Sequence, residues 1–332
     1  MAWRIGIDEA GYGPNLGPLV MTAVACRVPE ELAAGSLWKV LRSSVQKAAG
    51  RSATKVAVDD SKKIYSTARG LEALERSVLA VLHGRDSEPD GDGAEAGNSA
   101  WSSLDQLTHL VAAICPSHDL ASESWYRGAL PLPVAAERGD VAEAADRFGA
   151  CCRAAAVRWC WFRSVILCAP RFNAMVERWG SKGAVLGSAL AELLQEVVAL
   201  PPDEPMHVVV DKHGGRNHYQ PLLQDALPGG WVLPLEEGMD ASTYDVWGLS
   251  RPVRLTFVPR GDAGHFEVAL ASMISKYLRE TLMTEFNQFW QEHVPGLTPT
   301  AGYPGDSRRF FTAIVPALER LGIAAEHVWR ER

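Results

Sequence analysis

Three apolar, strand-like runs in this sequence lead into acids. Ile5-Gly6-Ile7 runs into Asp8-Glu9, Val208-Val209-Val210 ends on Asp211, and Phe257-Val258 reaches Asp262 through Pro259-Arg260-Gly261. A carboxylate closing a buried strand is costly unless a cation or hydrogen-bond donors compensate it. Four oxygen donors from scattered strand ends, with no His or Cys among them, are the ligand chemistry of magnesium or manganese. Two such ions activate water and stabilise the leaving oxygen in phosphodiester cleavage. Asp8, Glu9, Asp211 and Asp262 are therefore candidate metal ligands and catalytic groups. Strand alternation sends neighbouring Asp8 and Glu9 to opposite faces, so both can serve one site only if the strand breaks there. The glycines that follow permit such a break. The plain structural alternatives are solvated strand ends and, for Asp262, a helix N-cap.

Other chemistries fit less well. Gly11, Gly13 and Gly17 are spaced G-x-G-x-x-x-G, and Pro14 and Pro18 oppose a helix opening there, which argues against a dinucleotide loop. Lys212-His213-Gly214-Gly215-Arg216 after the third acid offers backbone N–H groups and two cations to a phosphate. A phosphate-binding metabolic enzyme built on that loop is thus an alternative of a different class. His213 and His218 lie five apart with no cysteine cluster beside them, a poor zinc site. No G-x-S-x-G elbow is present, and Ser61 has no local base. The six cysteines form no C-x-x-C pair and read as reduced, mostly buried thiols.

The elements that must position these residues alternate in type. Trp3–Asp8 and Leu19–Arg27 read as strands, Lys55–Val58 as a short one, and Leu71–His83 as a helix with one apolar face. Trp161–Leu167, His207–Val210, Trp231–Leu235, Thr243–Val246 and Val253–Val258 are further strands, the last three forming a meander. Val185–Val198, a long Phe266–Trp290 and Arg308–Leu321 are helices. Strands interleaved with helices predict an α/β fold with helices packed on a central sheet. The 332 residues, 47% apolar and 22% charged, exclude a disordered chain. No apolar stretch is long enough to span a bilayer, and Asp8 and Glu9 sit where a signal peptide needs its apolar segment, so a cytoplasmic protein is expected. The net charge of −7 is concentrated: residues 84–150 hold 12 acids against four Arg, which leaves +1 for the rest. The surface near the acids is therefore not described by the global sign. Residues 84–98 have linker composition, and 99–155 read as a helical insertion.

Four motifs in order resemble one family. Gly6-Ile7-Asp8-Glu9-Ala10-Gly11-x-Gly13-Pro14 is similar to the opening signature of ribonuclease HII, and Asp60-Ser61-Lys62-Lys63-Ile64 to its D-S-K-K-L segment. Arg260-Gly261-Asp262 with Ala271-Ser272-Met273-Ile274-Ser275-Lys276-x-x-Arg279-Glu280 resembles its G-D-S…A-S-I-x-A-K-x-x-R-D run, and Gly302-Tyr303-Pro304 its late turn. The resemblance covers about Met1–His83 and Trp159–Leu321 and leaves much of 84–155 and 236–252 as insertions. It implies a ribonuclease-H-like fold, a mixed central sheet flanked by helices, with a discontinuous catalytic domain over 1–83 and 156–325. It also implies hydrolysis of the RNA strand of RNA/DNA hybrids, or of RNA embedded in DNA, with two Mg²⁺ or Mn²⁺ ions on Asp8, Glu9, Asp211 and Asp262. The glycine loop Gly11–Gly13 would meet the nucleic-acid backbone, Tyr303 would stack beside the RNA–DNA junction, and Lys62, Lys63 and Lys276 would neighbour phosphates.

The departures fall on substrate-reading positions. The loop's usual central arginine is Tyr12, the usual D-G-N is Asp211-Lys212-His213, and Gly305 stands where a threonine is usual. Lys212 and Arg216 are candidates to restore the missing cation. A nucleic-acid-binding module of the same fold, with weak or altered activity, is the alternative within this class.

Overall fold

The computed structural model describes residues 1–48, 52, 54–85, 104–116 and 120–331. Its strands are β1 (Ala2–Ala10), β2 (Leu19–Val28), β3 (Val45–Gln46), β4 (Val56–Ala57), β5 (Arg158–Leu167), β6 (Met206–Asp211), β7 (Trp231–Glu237), β8 (Ser242–Trp247) and β9 (Val253–Val258). The helices are α1 (Leu37–Val40), α2 (Ser61–Ile64), α3 (Glu72–His83), α4 (Leu107–Ile114), α5 (Arg138–Ala154) and α6 (Ala169–Trp179). They continue with α7 (Lys182–Val198), α8 (Gln220–Ala226), α9 (Gly261–Gly264), α10 (Phe266–His293), α11 (Pro304–Leu321) and α12 (Ala325–Val328).

Seven strands form one mixed sheet in the order β5-β2-β1-β6-β9-β8-β7, while β3 and β4 make a separate parallel pair. β1, β6 and β9 run parallel at its centre. On one side β2 pairs antiparallel with β1 and β5 antiparallel with β2, and the β7–β8–β9 meander closes the other. This is the mixed sheet flanked by helices that the sequence predicts.

Two apolar layers follow from alternation along the strands. Ile5 and Ile7 of β1 and Val208 and Val210 of β6 face a core shared with Leu186, Leu190 and Leu193 of α7. On the opposite face Val20 and Val24 of β2 pack with Leu270, Met273 and Ile274 of α10 and with Val78 and Leu82 of α3. α10 is buried along most of its length, which is why its apolar positions go round the helix instead of forming a stripe.

The structure differs from the sequence reading at two strands. β1 does not break at the acids: it stays paired with β2 through Ala10↔Val20. The ladder with β2 outweighs the local freedom of the glycines, which begin only at Gly11. The strand expected over Lys55–Val58 is confined to Val56–Ala57. α6 and α8, each with a proline in its first turn, have no counterpart in the sequence reading.

The described residues of 104–155 pack on the main body. Leu107, Ile114, Leu132 and Phe148 lie in the same core as α3 and α10. The buried Glu75 carboxylate of α3 accepts the N–H groups of Val134, Ala135 and Ala136 at 2.6, 2.6 and 2.8 Å, and the Tyr277 hydroxyl at 2.8 Å. Of the linker-like stretch 84–98, all but Gly84 and Arg85 lies outside the described residues. The six cysteines are thiols, and four are buried. Among the described residues no helix is long and apolar enough to cross a membrane.

Candidate active site

In an open α/β sheet, ligands bind in the crevice beyond the carboxyl ends of the parallel strands. Ile7 pairs with Val210 and Val210 with Phe257, so Asp8 lies near the end of β1, Asp211 closes the neighbouring β6 and Asp262 follows the third strand in α9. The pairing thus gathers acids more than 200 positions apart in sequence.

Although β1 is unbroken and alternation starts Asp8 toward the α10 face and Glu9 toward the other, the two carboxyls meet near the strand end. Asp8 feels the charges of Glu9 and Asp211, and Glu9 that of Asp211, so no break is needed to bring both to one place. β1 lies close against the start of α10: a Cβ on Gly6 would stand 2.1 Å from the Glu267 carbonyl carbon. Beside it, Arg4 Nη2 donates to both Glu267 carboxylate oxygens at 3.0 Å. Two helical turns on, Ser275 Oγ lies 3.0 Å from the Asp8 carbonyl and 2.8 Å from Thr22 Oγ1. The glycine, the ion pair and the serine set how α10 meets the acidic strand end.

The four acids repel one another through low-dielectric surroundings. Burial, then the charges of Glu9 and Asp211, pushes Asp8 well above the ordinary carboxylate range. Glu9 is pushed up to about 7, by burial first and then by Asp211. Asp262 rises to about 6 through burial, with Asp60 and Asp211 adding to it. Burial also raises Asp211, whose Oδ1 accepts the Gly261 N–H at 2.7 Å and so ties the end of β6 to the turn carrying Asp262. The Lys62 charge opposes the rise at Glu9, Asp211 and Asp262.

Asp60, missed as a site residue although it lies in the D-S-K-K segment, adds a fifth carboxylate beside Asp211 and Asp262. Its side chain also accepts the Lys62 N–H at 2.9 Å and caps α2.

The remaining residues singled out from sequence divide into accessible and committed. Tyr12 and Tyr303 are exposed, 36% and 46%, and Gly13 faces the Tyr303 ring. Gly11 adopts φ +94°, and a Cβ there would stand 2.5 Å from the Pro18 carbonyl oxygen. Lys63 pairs with Asp59 at 3.0 Å, and Lys276 with Glu280 at 2.7 Å. Lys212 is buried, its Nζ donating to Asn217 Oδ1 at 2.9 Å and to the carbonyls of Gly238 and Met239. The Arg216 guanidinium lies 5.8 Å from the Tyr219 ring centre, and its tip neighbours Gly183 and Gly187 of α7. Beside it the buried His213 imidazole is held down to about 4 by desolvation and the Arg216 charge, so it is neutral at physiological pH.

Among the described residues no three His, Cys, Asp or Glu side chains converge as a ready metal cage. The donor set is nonetheless that of a hard cation: all carboxylates, Asp8 buried and the other three half-buried, each raised by burial before any neighbouring charge. Asp8, Glu9, Asp211 and Asp262 fit a divalent ion in chemistry.

No family model and no curated protein sequence matches the chain. Among solved structures it is similar to RNase HII in the PCNA:RNase HII complex from Archaeoglobus fulgidus, at 14% identity over 99% of this chain and 94% of that one, with a TM-score of 0.41. It is also similar to ribonuclease H2 from Pyrococcus horikoshii OT3, at 14% identity over 98% and 92% of the two chains and a TM-score of 0.40. Against Bst-RNase HIII in complex with Mn²⁺ the identity is 15%, over 99% of this chain and 66% of that one, with a TM-score of 0.44.

Proposed function

We propose that this protein is a divalent-cation-dependent nuclease of the ribonuclease H type that hydrolyses the RNA strand of RNA/DNA hybrids, or RNA embedded in DNA. The observation that supports the reading is that Asp8, Glu9, Asp211 and Asp262 all lie at or just after the carboxyl ends of three parallel strands, with a glycine loop soon after the first pair. The four carboxylates would hold Mg²⁺ or Mn²⁺. When bound, the two ions supply a nucleophilic water and stabilise the leaving oxygen.

The protein's own groups prepare that chemistry. Lys62 offsets part of the repulsion among three acids, and Asp211 is fixed by the Gly261 N–H. The Gly11–Pro14 loop and the exposed Tyr12 and Tyr303 give a surface for a sugar–phosphate backbone and an unstacked base. Cleavage is tested on hybrid, single-ribonucleotide and all-DNA duplexes in Mg²⁺ and in Mn²⁺, with Asp211→Asn as control. Cleavage of the two ribose-containing substrates, lost in the variant, supports the reading. Tight hybrid binding without cleavage in either metal replaces it with the binding-module alternative.

A further inference from the structure

Position 12 lacks the arginine that the family resemblance leads one to expect, yet two guanidiniums lie against the glycine loop from inside the protein. Arg330, just after α12, has a fully buried side chain. Its Nη2 donates to the Gly11 carbonyl at 2.6 Å and to that of Pro14. Its backbone N–H donates to the Asn15 carbonyl at 2.8 Å, and Leu16 bridges to Trp329. The chain around Arg330 is thereby stitched across the inner side of the loop.

Arg279 comes from α10. A Cβ on Gly11 would lie 2.8 Å from its Cδ and Nε, its Nη2 donates to the Ala301 carbonyl at 2.8 Å, and its guanidinium sits 5.6 Å from the centre of the Tyr303 ring.

Neither cation is well neutralised. Arg279 Nη1 is 3.2 Å from Glu280, a carboxylate already paired with Lys276. Arg330 makes no ion pair among the described residues: its Nε and Nη1 find no acceptor in the protein, and its guanidinium lies 4.8 Å from the centre of the Phe172 ring. Burial and the neighbouring Arg279 hold its pKa down to about 9, so it stays charged at neutral pH. A buried guanidinium short of partners is strongly destabilising. An anion on the outer side of the loop would offset that cost.

We propose that Arg330 is a positioning residue for substrate: it turns the Gly11 and Pro14 carbonyls inward and, with Arg279, supplies the positive field for a phosphodiester that Tyr12 cannot. This rests on the nuclease reading for the identity of the anion, whereas the hold on the loop does not.

Arg330→Met and Arg330→Lys are compared with the wild type by hydrogen exchange of residues 11–17 and by hybrid binding in Ca²⁺. Where cleavage is established, KM and kcat are also measured. In a folded Arg330→Met protein the loop amides should exchange at least about tenfold faster with β1 unchanged, and hybrid affinity should fall about tenfold, of the order of one lost charge-assisted interaction. KM should rise by a similar factor while kcat changes less than about threefold, since the group acts on binding. Arg330→Lys, which keeps the charge but not the planar fork, should recover part of the affinity and little of the loop protection. It also decides the matter if the methionine variant fails to fold. Unchanged loop exchange, or a loosened loop with unchanged hybrid affinity, overturns the proposal. A wild type that cleaves no substrate overturns the nuclease reading instead and leaves the loop measurement valid.

Discussion

Replacing Glu9 with glutamine should stabilise the metal-free protein while weakening its response to divalent cations. Glu9 is raised from 4.5 to about 7 by burial and by Asp211. A carboxyl raised that far carries a penalty of about 3 kcal/mol on its charged form, and water at its partly exposed edge trims this to about 2 kcal/mol. A folded pKa above the unfolded one contributes stability below pH 4.5, and that stability is lost as pH rises through about 7. Glu9→Gln carries no charge and escapes the loss. At about 2 cal/mol/K per residue of unfolding entropy, 2 kcal/mol on a chain of 332 residues is a rise in Tm of about 3 °C. The assay is thermal unfolding in EDTA at pH 8 and pH 5, repeated at pH 8 with saturating Mg²⁺. The variant should melt about 3 °C higher at pH 8 and about 1 °C higher at pH 5, where folded Glu9 already holds a proton. Added Mg²⁺ should raise the wild type more than the variant, because the ion binds only the folded arrangement of carboxylates. A variant that melts lower than the wild type at pH 8 in EDTA, or a gain that does not depend on pH, would refute the repulsion account.

Asp8→Asn and Asp211→Asn should each lower the cleavage rate at least about a hundredfold at unchanged fold, read in single-turnover assays on a hybrid duplex. Gly6→Ala should cost about 3 kcal/mol or prevent folding, because the added methyl meets the Glu267 backbone at 2.1 Å; urea unfolding measures it. Glu75→Gln keeps the shape but cannot accept from three amides and a hydroxyl, so about 3 kcal/mol should be lost, a fall in Tm of about 4 °C by calorimetry. Tyr12→Arg should tighten hybrid binding and steepen its salt dependence, since exposed Tyr12 offers no charge; isotherms in Ca²⁺ at several salt concentrations decide.

Element types were largely legible in the sequence, and their neighbours were not. Val208–Val210 reads as a strand wherever it stands, because its β-branched run is local. That it lies beside β1 and not beside β5 is set by pairing across some 200 residues, which no local period encodes. Pairing with the next strand in sequence carries β1 past Asp8 and Glu9 without the break the glycines would permit, since nine consecutive partners on β2 outweigh a flexible glycine just beyond. The acids themselves were visible because a carboxylate at the end of an apolar run is chemically out of place. Arg330 carried no such mark: it sits among charged residues in the sequence, and only the packing of α12 turns it inward. Lys212 shows the converse, a cation beside a candidate ligand whose ammonium is already committed to one amide oxygen and two carbonyls.

The separation of 319 positions between Gly11 and Arg330 also makes the site a matter of timing. During synthesis the glycine loop emerges with β1, long before the residue that braces it. In the interval β1 has β2 but neither β6 nor α10, and Gly11 has no guanidinium beneath it. The acids and the loop therefore belong to different moments of folding: the carboxylates gather once β6 and α9 are made, whereas the loop acquires its brace only after α12. A nascent chain paused between those points would hold an electronegative mouth with an unbraced entrance. Slow, long-range closure of this kind makes the order of assembly, as well as the final contacts, part of how the site comes to exist.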